Sequence, residues 1–414
     1  MNLAWLSLGA LVLAMIVSCV SEMNVGVLAL ALAWLVGVYA GGLGLNEVLS
    51  GFPVQLFLTL AGVTLLFTQA QLNGTLDRVA QAAVRICRGN AGLIPVMFFA
   101  LACLIASVGP GNVATAAMMA PMAMAVGGRA GIPPFLMAIM VGNGAQAGAL
   151  SPFAPTGIIV TGLMNKIDLG GHELRTYLAN LIAHAIVAFS GYLLFGGWRL
   201  FKSRDSRAAE EVAGTVEFTA AHGITLAVIG CVLIAVLFLN ANIGMAAFTG
   251  AVALSVLRLA DHDQAIRKMP WTPILMVCGM SVLVALLEKT KGLDLFTTLL
   301  ASISTPGTLT GVVALVTGLV SVYSSTSAVV LPAFLPTVPG LAERVGVAAL
   351  PVAWSMNVGA SLVDLSSLST VGALFIAGAA AGTDSRRLFN GLLVWGLAMT
   401  VVGALIAWIL FGAR

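Results

Sequence analysis

The sequence predicts an all-α polytopic membrane protein built from two inverted repeats, each of five spans with a re-entrant hairpin and a broken helix. Three observations predict it. Of 414 residues, 60% are apolar and 8% charged, with a mean hydropathy of +1.05, more apolar surface than a chain folded in water can hide. Charge-free stretches such as 24–45 and 388–411 match the roughly 20 residues that take a helix across about 30 Å of hydrocarbon. The same motifs also occur twice in the same order, about 210 to 217 positions apart.

The repeat has three blocks. Phe52-Pro53 opens a run through Leu58, Gly62 and Leu66 to Asn73-Gly74-Thr75-Leu76-Asp77, and Met269-Pro270 opens Leu275, Gly279, Leu283 and Lys291-Gly292-Leu293-Asp294. Thr115 through Pro121 answers to Thr326 through Pro332. Gly144-Ala145, Leu150-Ser151 and Gly157 answer to Gly359-Ala360, Leu365-Ser366 and Gly372. Paired halves with Gly- and Pro-interrupted apolar segments at matching positions mark a binding site between the repeats of a membrane protein.

The elements follow in order. In 1–90 the spans are 3–21, 24–45 and 53–73, then an amphipathic stretch from Leu76 to Arg88, whose Arg78, Arg85 and Arg88 suit a helix lying on the membrane surface. Leu3–Val20 reads as the first span and not a signal sequence, because the first basic residue of the chain is Arg78. In 91–198 come a hairpin (91–128), a broken helix (132–165) interrupted by Gly144, Gly148, Pro152 and Pro155, and a helix at 178–198. A polar linker, 199–219, carries four basic and four acidic residues between Arg199 and Phe218. In 220–305 the plan repeats with spans at 221–240, 243–260 and 270–287 and a surface helix near 294–302. In 306–414 it repeats with a hairpin (307–342), a broken helix (349–381) and a helix at 388–411.

Charge and cysteine content exclude other classes. The net charge of +3 is spread over loops with no basic run, so the lipid bilayer and not nucleic acid is the expected surroundings. If the halves are inverted, thirteen of the nineteen Lys and Arg residues share one face, which is then cytoplasmic together with the linker, and both termini lie outside. The five cysteines, Cys19, Cys87, Cys103, Cys231 and Cys278, are scattered without a CxxC pair and read as free thiols.

Polar chemistry concentrates where the helices break, since irregular backbone survives at membrane depth only when buried in protein or facing water. The breaks are Ser107–Val113 and Tyr323–Thr326 at the hairpin tips, and Asn143–Pro152 and Asn357–Ser367 in the broken helices. Helices starting at Asn112 and Ser324 would aim two N-termini, each about +0.5 charge, into one cavity, an anion site without Lys or Arg. Gly109, Gly111, Gly144 and Gly359 would let a ligand or ion approach the backbone.

Here Gly111-Asn112-Val113-Ala114-Thr115-Ala116-Ala117-Met118-Met119-Ala120-Pro121 resembles the Ser-Asn-Thr hairpin signature of the divalent anion/sodium symporters in the ion transporter superfamily. The N-terminal third, with its GNVATAAMMAP and GNGAQAGALSPFAPTG stretches, is more similar to the MatC-type malonate and dicarboxylate carriers. The resemblance implies an elevator-type homodimer. In each half, scaffold helices and a surface arm (1–90 and 220–305) would hold still while a transport part (91–198 and 306–414) moves. It further puts Asn112, Val113, Ser324 and neighbouring residues on substrate carboxylates, and the substrate-binding candidates are Asn112, Val113, Thr115, Ser151, Ser324, Ser325, Thr326 and Ser366. Cation coupling falls to Ser107, Asn112, Asn143, Gly144, Tyr323, Asn357, Gly359 and Asp364, with Na+ the only metal expected and no other cofactor. Gly111 and Val113 stand where the signature has Ser and Thr, and Val322-Tyr323-Ser324 stands at the matching turn, leaving Ser325, Thr326 and backbone N–H groups as substitutes.

Asp364 is the sharpest single residue. An ionisable group inside an apolar broken span is a functional candidate by default, and the alternative is an N-cap of a helix starting at Leu365. A carboxylate beside a dianion needs a proton or a cation, which argues for symport with Na+ or H+. Gln146 reads first as helix packing, His184 as a structural histidine facing Asn180, Glu288 as a solvated ion-pair partner of Lys289 and Lys291, and Met118, Met119, Met122 and Met124 as adaptable packing. No paired aspartates, Ser/His pair or HExxH motif occurs at helical spacing in the spans, so an enzyme is not expected. The expectation is a carrier of small dicarboxylates, malonate or a C4 acid first, in a bacterial cytoplasmic membrane. The alternative is a cation or arsenite-type metalloid transporter of the same architecture.

Overall fold

The computed structural model describes residues 3–21, 23–84, 90–202, 218–239, 241–379 and 383–412. Arg85, Cys87, Arg88 and linker residues 203–217, with Arg204, Asp205, Arg207, Glu210 and Glu211, lie outside the described residues. The first half holds α1 (Leu3–Val20), α2 (Val25–Trp34, extended by a π turn over Leu35–Ala40), α3 (Leu45–Leu49), α4 (Val54–Leu72), α5 (Thr75–Val84), α6 (Leu93–Val108), α7 (Gly111–Arg129), α8 (Pro134–Gly148), α9 (Pro155–Lys166) and α10 (Glu173–Leu194). The second half holds α11 (Ala220–Leu239), α12 (Ile243–Val256), α13 (His262–Lys268), α14 (Trp271–Lys289), α15 (Gly292–Ser302), α16 (Leu309–Ser321), α17 (Leu331–Phe334), α18 (Val338–Val345), α19 (Ala349–Leu362), α20 (Thr370–Ala377) and α21 (Ser385–Phe411).

Among the described residues, five helical stretches are long and apolar enough to cross a membrane alone: α4, α10, α14, α21 and the run Thr326–Val345. Shorter apolar helices, including α6, α11, α12 and α16, accompany them.

Local chemistry sets the helix starts. Asn24 and Asn242 occupy matching positions, and each accepts a hydrogen bond from a first-turn backbone N–H, Gly26 N and Met245 N respectively. These caps satisfy donors a helix cannot use internally. Pro134 and Pro155 stand in the first turns of α8 and α9, where a missing N–H costs nothing.

The halves interlock. Lipid tails are as apolar as leucine, so helices in a bilayer associate by close packing at small residues. α2 crosses α14 where Gly26 and Gly279 meet, and a Cβ on Gly279 would stand 2.0 Å from the Gly26 carbonyl oxygen. α4 crosses α12 where Gly62 and Gly244 meet in the same way, with 2.4 Å from Gly62 to the Gly244 oxygen. Matched glycines from each half therefore pack against the other half.

The remaining packing also recurs. α6 lies on α8 and α8 on α10, as α16 lies on α19 and α19 on α21. Buried apolar side chains form two clusters. One is built on α1, α2, α4, α12 and α14 and takes in α9 and the run Thr326–Val345; the other is built on α6, α7, α8, α10, α20 and α21. The outer arm of the second hairpin thus packs on α14 and α15, within the first cluster. That arm is not one regular helix: a π turn (Thr326–Val330) leads into α17, a 3-10 turn (Leu335–Thr337) and α18. Pro332, Pro336 and Pro339 each remove a backbone donor from it.

Some expectations are corrected. α10 begins at Glu173, before the expected 178, and the short α3 and α13 were not foreseen. Lys289 reaches across to Glu47 at 3.7 Å, so its carboxylate partner is not Glu288. Met119 and Met124 are buried in the second cluster, with Met118 and Met122 packed at its edge.

Candidate functional site

The site lies where both hairpin tips meet the second broken helix. α6 stops at Val108. A side chain on Gly109 would run into the Phe67 ring at 1.8 Å, and Gly111, at φ +76°, faces Pro155 Cδ at 2.9 Å from a Cβ position. These glycines make room for neighbouring protein and for a left-handed turn. α7 starts directly after the turn with Pro110 at its N-cap and no side-chain cap, so its first-turn N–H groups depend on partners outside the helix. Opposite it, α16 ends at Ser321, the chain turns through Val322–Ser325, and a new helical run starts at Thr326 with the Ser325 hydroxyl accepting from Ala328 N at 3.3 Å.

Between them is a cavity of about 250 Å³. Asn112, Val113, Tyr323, Ser324, Ser325, Thr326 and Asp364 line it together with Asn24 and Thr272, and among the described lining residues there is no Lys, Arg or His. Seven of the sequence-derived candidates are therefore brought together around one space.

Asp364 sits in the break between α19 and α20. It is not an N-cap, because α20 starts at Thr370 and its cap is Ser369, which accepts from Gly372 N at 3.2 Å. Instead the Asp364 carboxyl is held by two side chains from other elements. Thr326 Oγ1 donates to Oδ1 at 2.5 Å, and Gln146 Nε2 donates to Oδ2 at 3.0 Å. Gln146 Oε1 in turn accepts from Asn112 Nδ2 at 2.9 Å. Thr326 also pairs with Ser321, and Ser369 Oγ donates to the Asp364 carbonyl. One chain of hydrogen bonds thus runs from the first hairpin tip through the first broken helix to the second break and the second hairpin tip.

A second network lies behind it. His184, fully buried, places Nδ1 3.0 Å from Asn143 Oδ1 and Nε2 3.2 Å from Ser361 Oγ. Asn143 Nδ2 is bound to the Ile139 carbonyl, so its oxygen accepts and His184 Nδ1 carries the donating proton. Ser361 Oγ also lies 3.0 Å from Asn180 Oδ1, and Asn180 Nδ2 donates to the Gln146 carbonyl at 2.8 Å. The partners of His184 are thus Asn143 and Ser361, with Asn180 one bond further on.

Other candidates lie elsewhere. Ser151 Oγ donates to the Ser107 carbonyl at 2.6 Å, and Ser107 Oγ pairs with Tyr177 at 3.0 Å, away from the cavity-lining set. Thr115 and Asn357 are buried, and among the described residues no protein partner reaches the Thr115 hydroxyl or the Asn357 amide. Ser366 is fully buried against Gly396. Gly144 and Gly359 lie against the carbonyls of Phe99 and Ala314, each 2.4 Å from a Cβ position, so both serve helix packing.

Chemically, the cavity offers hydroxyls, one amide and uncapped helix N–H groups to an anion, and one carboxylate to a proton or cation. Sequence reasoning ranked Gln146 as packing; the structure makes it the bridge between Asn112 and Asp364. Helical spacing gave no hint of this, since the partner lies 218 positions away.

Residues 1–149 match the family model described as the N-terminus of the dicarboxylate carrier protein MatC. No curated protein matches the chain. Among solved structures, the Alcanivorax borkumensis YdaH transporter, whose crystal structure is described as revealing an unusual topology, superposes with a TM-score of 0.59 at 15% identity. The likeness covers 99% of this chain and 97% of that one, and it establishes a shared all-helical fold. The family match is confined to the first 149 residues, and the five membrane-length apolar helical stretches among the described residues indicate a multi-pass membrane protein.

Proposed function

We propose that the chain is a secondary active carrier of small dicarboxylates, malonate or a C4 acid first, coupled to Na+ or H+ entry. The observation that carries this reading is the cavity in which the uncapped start of α7 faces the hydroxyl turn Ser324–Thr326, with a single carboxylate beside it. A helix N-terminus supplies about half a positive charge and oriented N–H donors, which suits a carboxylate in a site without Lys or Arg. The MatC description of residues 1–149 supports a dicarboxylate as the anion. Asp364 would repel a dianion unless it carries a proton or holds a cation, so coupling follows from the charge balance of the site.

The mechanical part of the reading is an elevator. The matched order of elements supports two halves of inverted topology, and the two buried clusters support a static body and a moving one. Homodimer assembly and a bacterial cytoplasmic membrane complete it.

The test is uptake of labelled malonate into proteoliposomes under an inward sodium gradient and, separately, an inward proton gradient at matched membrane potential. Saturable accumulation under one gradient is the expected result and names the coupling ion. Absence of uptake under both, with folded protein, would point to the cation or metalloid alternative.

A further inference from the structure

We propose that Gln146 is a polarity switch that couples protonation of Asp364 to the number of N–H donors Asn112 presents to the anion cavity. This rests on the dicarboxylate-carrier reading.

A primary amide has an acceptor end and a donor end, and its orientation follows from its neighbours. With Asp364 ionised, both of its oxygens accept. Gln146 must then turn its NH2 to Asp364 Oδ2 and its oxygen to Asn112, and Asn112 must spend one N–H on Gln146, which is the observed arrangement. Asn112, half-buried on the cavity wall, then keeps its carbonyl oxygen and one N–H for the cavity. That is a poor receptor for a carboxylate.

A proton arriving on Asp364 reverses the chain. A proton on Oδ2, the oxygen that faces Gln146, donates to the Gln146 amide, while Thr326 Oγ1, which also meets Ser321 Oγ and the Ala360 carbonyl, keeps its contact with Oδ1. The Gln146 amide rotates half a turn to accept it and then donates its NH2 toward Asn112. The Asn112 amide rotates in response, accepts through Oδ1 and frees both N–H groups for the cavity. One proton enters and no other bond is made or broken; when the cavity opens to the other side, loss of that proton restores the first arrangement and weakens the hold on the anion. The amide pair is the two-state element that both ligands bias, as coupling requires.

Few other groups compete for this role. Among the described residues, Thr326 and Gln146 are the side chains hydrogen-bonded to the Asp364 carboxyl, with Ser321 behind Thr326. Among the described cavity-lining residues Tyr323 is the one other titratable group, and it is 52% exposed. From the packed helices, α10 brings His184, which is bound to Asn143 and Ser361. Arg129 lies at the far end of α7, Glu343 and Arg344 at the far end of α18, and Arg386 and Arg387 at the start of α21, more than two turns before Gly396 meets Ser366.

The test measures malonate affinity of the purified full chain in nanodiscs from mildly alkaline to mildly acidic pH, for the wild type, Gln146→Met and Asp364→Asn. Malonate's own titration is common to all three, so differences between them isolate the protein. The wild type should gain affinity on acidification by about tenfold more than Gln146→Met, within the range usual for coupled sites. Asp364→Asn should lose the extra pH dependence as well. Infrared difference spectra with 13C-malonate, which moves the ligand's bands aside, should show a protonated carboxyl appearing on binding in the wild type and not in Asp364→Asn. If Gln146→Met keeps the wild-type pH profile, or if the wild type shows no carboxyl band, the switch is wrong while malonate binding still stands; the infrared arm decides even if Gln146→Met fails to fold. If folded wild type binds no malonate at any pH, the carrier reading itself fails.

Discussion

In the first broken helix Gly144 lies against the Phe99 carbonyl and Gly157 against the Ser151 carbonyl; in the second, Gly359 lies against Ala314 and Gly372 against Ser366, with Cβ positions at 2.4 and 1.9 Å in one half and 2.4 and 2.0 Å in the other. The skeleton is therefore repeated. The polar groups are not. On that alignment Ala149 stands where Asp364 does, and Ala154 stands where Ser369 caps α20. Close packing of backbones constrains both halves alike, whereas one carboxylate suffices to balance charge in a cavity both halves share.

Breaking the comparison most severely means moving the charge. Ala149→Asp places a carboxyl at a fully packed position, and an uncompensated buried charge costs about 3–5 kcal/mol; the variant should fail to give monodisperse protein on size exclusion. Asp364→Asn should stay folded by the same measure, yet reduce gradient-driven malonate accumulation in proteoliposomes to background.

The repeated skeleton is tested by Gly157→Ala and Gly372→Ala. Each added methyl would overlap a serine carbonyl oxygen, and overpacking costs about 1–3 kcal/mol. Thermal unfolding in detergent should show equal losses, and a large inequality would separate the halves. Ser369→Ala should cost about 1 kcal/mol as a lost cap, read the same way, while Ala154→Ser should change little beside Pro155 at the first helical position.

The smallest effect concerns the surface arms. Gly74 and Lys291 precede α5 and α15 at matching positions, both left-handed at φ +77° and +60°. A side chain there costs about 1–2 kcal/mol that glycine avoids, partly offset by the freedom glycine loses on folding. Lys291→Gly should raise the unfolding midpoint by the equivalent of about 1 kcal/mol or less.

How much of this was legible follows from the range of each interaction. Gly62 with Gly279 and Gly157 with Gly372 appeared as matched positions because backbone contact tolerates no side chain, and the resulting pattern survives in one dimension. Asn112, Ser324, Thr326 and Asp364 were legible as candidates because polar residues in apolar spans are costly, and all four line one cavity. Gln146 was not, since an amide in a helix looks the same whether it packs or bridges, and its two partners sit 34 and 218 positions away. Ser107 pairs with Tyr177, its carbonyl accepts from Ser151, and neither serine lines the cavity, contacts across 70 and 44 positions that local spacing does not encode. Residues 203–217 of the linker lie outside the described residues, so its expected role as an extramembrane connection has no structural counterpart here.

The most direct measurement is an experimental structure of the chain in nanodiscs with malonate present at saturating concentration. The account predicts ligand density in the cavity between the start of α7 and Ser324–Thr326, within hydrogen-bonding distance of Asn112. Density elsewhere, such as the apolar groove between α11 and α12 lined by Cys231 and Met245, with the cavity free of ligand, would contradict it.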